Sequence, residues 1–101
     1  MSKNLEGQLQ LSILKYLKFS GYVAGKTKTM GVKAGNIYRK DPYTFTGFPD
    51  ITVFTPELVF IECKSPTGKQ SKAQIEFEAL CDRAGVKYIL ARRMEDVTEE
   101  L

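Results

Sequence analysis

The chain contains no histidine. That absence removes Ser-His and Cys-His nucleophilic catalysis, imidazole acid–base chemistry and His-ligated zinc. Cysteine is nearly as scarce: Cys63 and Cys81 stand alone, without CxxC spacing, which argues against a zinc site. Neither a Walker-type phosphate loop nor a GxGxxG run occurs, so no nucleotide cofactor is expected. No apolar run approaches the ~18 residues that a membrane span needs, and no membrane partner is expected. The opening Met1 to Glu6 lacks the apolar centre of a signal peptide. These absences predict a cytoplasmic protein with free thiols. The chemistry left open belongs to carboxylates, lysine and a metal.

At 101 residues, 43% hydrophobic and 27% charged, the chain is expected to form one soluble domain over residues 1–101. Its net charge of +3 is unevenly divided. Residues 1–49 carry eight basic and two acidic groups, whereas residues 50–101 carry seven basic and ten acidic. Lys26, Lys28, Lys33, Arg39 and Lys40 occur between Tyr22 and Lys40 with no acid among them, and Tyr38, Tyr43 and Phe45 are interleaved at the end of that stretch. Such a segment suits a polyanion, with phosphates on the cations and bases on the rings. The bland alternative is a solvated, exposed loop.

Hydrophobic spacing sets the element order. Leu9, Ile13, Leu14 and Leu17 recur at helical intervals, so Leu5 to Ser20 reads as a helix that stops at Gly21. Glu6 and Gln10 lie one turn apart and flank its apolar stripe. Tyr22 to Lys26 reads as a short strand, and residues 27–46 as a loop-rich stretch. Ile51 to Phe54 and Leu58 to Ile61 are rich in β-formers around a Thr-Pro-Glu turn and read as a hairpin. The second run is almost continuously apolar, as expected of a central strand covered on both faces. Ser71-Lys-Ala-Gln74 fits a capping box for a second helix ending at Gly85, with Ile75, Phe77, Ala79, Leu80 and Ala84 as its buried side. Val86 to Leu90 is a last strand, reached by a helical crossover and so parallel to an earlier one. Met94 to Leu101 offers a short terminal helix. The expected fold is a three-layer α/β/α domain with a small mixed sheet in the order α-β-β-β-α-β.

The hairpin concentrates chemistry at one end. Its register brings Asp50, which opens the first strand, beside Glu62 and Lys64, which close the second. Side-chain alternation puts Glu62 and Lys64 on one face with Phe60. Two carboxylates meeting at a sheet edge suit a hard divalent cation such as Mg²⁺. An acid-x-Lys triplet alone is weak, since about one match is expected by chance in a chain of this composition. The Pro-Asp upstream and the buried strand leading into the triplet supply context, because charge at the end of a buried strand is costly unless used.

These residues resemble the PD-(D/E)XK nuclease superfamily and, within it, the virus-type replication-repair nuclease (VRR-NUC) domain. The resemblance covers nearly the whole chain: Glu6 in the first helix, Gly47-x-Pro49-Asp50, Ile61-Glu62-x-Lys64, Gly68-Lys69, Ser71-x-x-Gln74 and the final Gly85-Val86 strand. Cys63 departs from it, standing where an aliphatic residue is usual. The resemblance implies a restriction-endonuclease-like fold and a Mg²⁺- or Mn²⁺-dependent endodeoxyribonuclease. Asp50, Glu62 and the backbone carbonyl of Cys63 become the metal ligands, with Glu6 a candidate ligand to a second ion. Lys64 orients water or stabilises charge on the phosphate. Gln74 either projects toward the site or only completes the capping box. Lys69 and Lys72 extend the DNA-binding set of Lys26, Lys28, Lys33, Arg39 and Lys40. Members of this branch imply a homodimer acting on branched DNA such as four-way (Holliday) junctions, in the host cytoplasm for a viral member. Two other readings compete: a non-catalytic DNA-binding module of the same fold, and a structural α/β domain.

Overall fold

The apolar runs assemble into a short mixed sheet with helices on both faces. The structure is a computed structural model and describes residues 5–27 and 45–101. In chain order the elements are α1 (Leu5–Phe19), β1 (Val23–Lys26), β2 (Ile51–Phe54), β3 (Leu58–Cys63), α2 (Lys72–Ala84), β4 (Lys87–Ala91) and α3 (Met94–Thr98). The strands lie in the order β1-β2-β3-β4. β1 with β2 and β2 with β3 are antiparallel, and β3 with β4 is parallel, as the intervening helix requires. Most of residues 27–46, expected from sequence to be loop-rich, with Lys28, Lys33, Tyr38, Arg39, Lys40 and Tyr43, lies outside the described residues.

α1 buries the stripe that its spacing defines: Ile13 and Leu17 are fully buried, and Leu9 and Leu14 pack beside them. Gly21, at φ 89, ends it one residue earlier than expected. The Gly21 and Tyr22 N–H groups donate to the carbonyls of Lys18 and Leu17 at 3.1 and 2.9 Å, a left-handed cap that favours glycine.

β3 is covered on both faces. Val59, Ile61 and Cys63 face one side and join Ile13, Leu17, Ile51, Val53, Ile89, Ala91 and Val97 in the core. On the other side Phe60 meets Phe77 of α2, with ring centroids 5.2 Å apart, and Phe48 and Tyr88 pack on Phe77 at 4.9 and 6.5 Å. α1 and α3 therefore cover one face and α2 the other.

The expected buried side of α2 needs correction. Of the residues named, only Phe77 is buried, and its companion is Cys81. Ile75 is 54% and Leu80 40% exposed, and Ala79 and Ala84 are also exposed. Ile75 and Ala79 are two positions from Phe77, roughly 200° around the helix, and cannot share its stripe. Phe45 is also not simply a free ring for stacking on bases. It remains 60% exposed, yet it packs edge-on against Phe48 and Phe77, at 6.0 Å from each.

Candidate active site

The β2–β3 register pairs Ile51 with Ile61, which sets Asp50 across from Glu62 at the same end of the sheet. Asp50 is tied in on both sides. Its Oδ2 accepts the Cys63 N–H at 2.8 Å, and its carbonyl accepts the Thr27 N–H at 2.9 Å. The side chain thus stands in for a ladder carbonyl at the end of β3. Burial raises the Asp50 pKa, and the Cys63 N–H opposes that shift.

Gly47 and Pro49 place this end of β2 against α2. Pro49 is fully buried. Gly47 has φ 74, and a Cβ there would come within 2.3 Å of the Ala73 carbonyl group and 2.7 Å of the Gln74 nitrogen. Only glycine fits both that backbone conformation and that approach. The first turn of α2 consequently lies over the β2–β3 end, with Ser71 as its N-cap.

Gln74 fulfils both roles open to it from sequence. Its Oε1 accepts the Ser71 N–H at 2.8 Å, and its own N–H donates to Ser71 Oγ at 3.1 Å, completing the capping box. Its Nε2 donates to Glu62 Oε2 at 2.8 Å. Lys64 Nζ lies 3.6 Å from the same oxygen, an ion pair longer than a hydrogen bond.

Glu62 is 1% exposed, and its Oε1 is buried with no hydrogen-bond partner among the described residues. Leaving such an oxygen unsatisfied costs about 1–3 kcal/mol or more for a charged group. Burial, then the neighbouring Asp50 carboxylate, push the Glu62 pKa up to about 7 against the pull of Lys64. The same surroundings push the Cys63 thiol up to about 12. Its side chain is a core group, and the only ligand this residue offers is its carbonyl.

Among the described residues, no three His, Cys, Asp or Glu side chains form a ready metal cage. The donor set here is leaner: Asp50, the unpartnered oxygen of Glu62 and a backbone carbonyl. That fits Mg²⁺, which is usually held by one or two carboxylates with water and substrate phosphate completing its shell. Glu6 is at the margin. It is exposed at the start of α1, and its Oε2 makes only a long contact of 3.5 Å with the Ser65 nitrogen. Its charge nevertheless adds to the upward shift of both Asp50 and Glu62.

The structure thus brings Asp50, Glu62, Lys64 and Gln74 together, with Glu6 beside them. Lys26 ends β1 opposite Ile51, one position from Asp50. Lys69 and Lys72 are exposed, one before and one after the Ser71 cap. Lys26, Lys69 and Lys72 form no ion pair with a described residue. Lys28, Lys33, Arg39 and Lys40 lie outside the described residues. Arg92, whose guanidinium reaches the loop after Lys64, carries no motif; nothing but its place at the end of the last strand marks it in the sequence. No helix among the described residues is long and apolar enough to cross a membrane. No family model matches the chain, and no curated protein or solved structure matches it.

Proposed function

We propose that the chain is a Mg²⁺- or Mn²⁺-dependent DNA endonuclease of the PD-(D/E)XK type, with a restriction-endonuclease-like fold and closest in pattern to the VRR-NUC branch. The observation that carries this reading is the Glu62 carboxylate, buried beside Asp50 and Lys64 with one oxygen that no described residue partners. A structural ion pair would satisfy both oxygens, whereas a site built for a cation leaves one open. Asp50, Glu62 and the Cys63 carbonyl would hold the ion. When bound, it supplies polarisation of the phosphate and a lowered pKa for water. Gln74 fixes the rotamer of Glu62 by occupying Oε2. Lys64 places positive charge where a phosphate would gain negative charge. Lys26, Lys69 and Lys72 would meet the flanking backbone.

Branched DNA, such as a four-way junction, is the proposed substrate, and a homodimer the proposed form. A twofold would present paired sites to paired strands. The deciding assay compares four-way junction, flap, nicked and linear duplex DNA with Mg²⁺, Mn²⁺ or EDTA. Asp50→Ala and Lys64→Ala should keep fold and DNA binding and lose cutting. Undiminished cutting by either would remove the mechanism. Metal-independent binding by the wild-type chain without cutting would favour the non-catalytic module.

A further inference from the structure

The turn that follows Lys64 is met from two sides, by Arg92 and by Glu6. Ser65, Pro66, Thr67 and Gly68 form a tight turn closed by the Gly68 N–H, which donates to the Ser65 carbonyl at 3.1 Å. Arg92 stands just after β4, next to Ala91, whose carbonyl accepts the Lys64 N–H at 2.9 Å. The Arg92 Nη1 donates to the carbonyls of Ser65 and Gly68, both at 2.7 Å, with the Pro66 carbonyl farther off at 3.4 Å. Nη1 carries two hydrogens, one for each short bond. Bonds from a charged donor are about twice as strong as neutral ones.

The backbone of Arg92 is itself anchored. Its N–H donates to Asp96 Oδ2 at 2.8 Å, and the same oxygen accepts the Arg93 N–H at 3.2 Å. α3 therefore fixes the base of the side chain that fixes the turn. Across the turn, Glu6 Oε2 lies 3.5 Å from the Ser65 nitrogen, and a Cβ on Gly68 would come within 3.2 Å of that oxygen. Arg92 forms no ion pair with a described carboxylate. Its charge is directed at backbone carbonyls one and four residues beyond Lys64.

We propose that Arg92 is a positioning residue: its guanidinium clamps the Ser65–Gly68 turn and thereby fixes where Lys64 leaves the sheet and where Glu6 meets the loop. The catalytic consequence rests on the nuclease reading; the clamp does not. Arginine suits the task because one planar nitrogen spans two carbonyls at fixed geometry, whereas a lysine ammonium is a point charge on a flexible stem. A direct phosphate contact would act differently, weakening DNA binding and its salt dependence.

The test uses the full chain carrying Arg92→Ala or Arg92→Lys. Amide exchange at Gly68 should accelerate about tenfold or more in Arg92→Ala, while Ile61 and Ile89 in the sheet keep their protection. With Mn²⁺ and four-way junction DNA, kcat should fall about tenfold or more, while KM and metal-free DNA affinity stay within about twofold. Arg92→Lys should recover part of both effects. If Arg92→Ala does not fold, the lysine variant alone decides. Wild-type Gly68 exchange in a folded variant would overturn the clamp. Intact kcat with weakened affinity and a flatter salt dependence would overturn positioning in favour of phosphate contact. A wild-type chain that cuts no DNA would overturn the nuclease reading and the catalytic half of this proposal, with Gly68 exchange still deciding the clamp.

Discussion

Gln74 Nε2 lies 2.8 Å from Glu62 Oε2 while Gln74 Oε1 accepts the Ser71 N–H at 2.8 Å. One amide thus joins the cap of α2 to the buried carboxylate, and the two functions separate by mutation. Ser71→Ala removes the Ser71 Oγ bond to the Gln74 N–H without touching Glu62, and should cost about 1 kcal/mol. Gln74→Ala keeps that backbone-donated bond but removes the acceptor of the Ser71 N–H and the donor to Glu62 Oε2, and should cost about 1–3 kcal/mol. Urea melts of the two variants check the difference. A Gln74→Ala loss under about 0.5 kcal/mol would mean that the Gln74–Glu62 bond contributes nothing to stability.

The raised pKa of Glu62 gives stability a pH dependence with a definite sign. The folded value is about 7 against an ordinary 4.5, so the native state holds the proton more tightly than the unfolded chain. This contribution is fully present below pH about 4.5 and is lost as pH rises through about 7. At about 1.4 kcal/mol per unit, the change amounts to about 3 kcal/mol. Asp50 shifts in the same direction. In EDTA the wild-type Tm should fall between about pH 5 and pH 8, and Glu62→Gln should flatten that fall. An equal fall in both proteins would show that Glu62 titrates normally.

Gly47 is the backbone hinge of this arrangement. At φ 74, with the Ala73 carbonyl group 2.3 Å from where a Cβ would sit, Gly47→Ala must strain the backbone and push α2 away. The expected loss is about 2–4 kcal/mol, measured as a shift in the urea midpoint. Displacement of α2 should also weaken the Gln74–Glu62 bond, visible as loss of protection at the Gln74 side-chain amide. A variant within about 0.5 kcal/mol of wild type would mean that the contact relaxes freely.

Much of this was legible in the residues. The apolar runs and the Thr-Pro-Glu turn fix the hairpin register, and with it the meeting of Asp50 and Glu62. The crossover helix makes β4 parallel, and Ser71-x-x-Gln74 announces its own cap. What could not be read depends on how elements dock. The depth of Glu62 is set by the approach of α2, which Gly47 and the ring cluster around Phe77 determine together. The same docking turns Ile75 outward and Cys81 inward, against a reading by hydrophobicity alone. Phe45, read as a base-stacking ring, packs edge-on against Phe48 and Phe77 while staying largely exposed, a contact its sequence neighbours do not announce. Arg92 was illegible because its partners are backbone carbonyls, which carry no sequence signal.

Divalent metal should act on this protein without any DNA present. A cation beside Asp50 and the unpartnered oxygen of Glu62 would relieve the repulsion and the unsatisfied oxygen together. At a metal concentration of about 100 Kd, the native state should gain about 2.7 kcal/mol. The gain should be larger near pH 8 than near pH 5.5, because a proton on Glu62 competes with the ion. Asp50→Asn should lose most of it. Lys64→Ala should keep or increase it, since the ammonium 3.6 Å from Glu62 repels a cation, while DNA cutting is abolished. Thermal melts with Mn²⁺, Mg²⁺ and EDTA separate these cases. Metal stabilisation that survives Asp50→Asn in full would place the ion elsewhere and leave the Asp50–Glu62 pair without its proposed role.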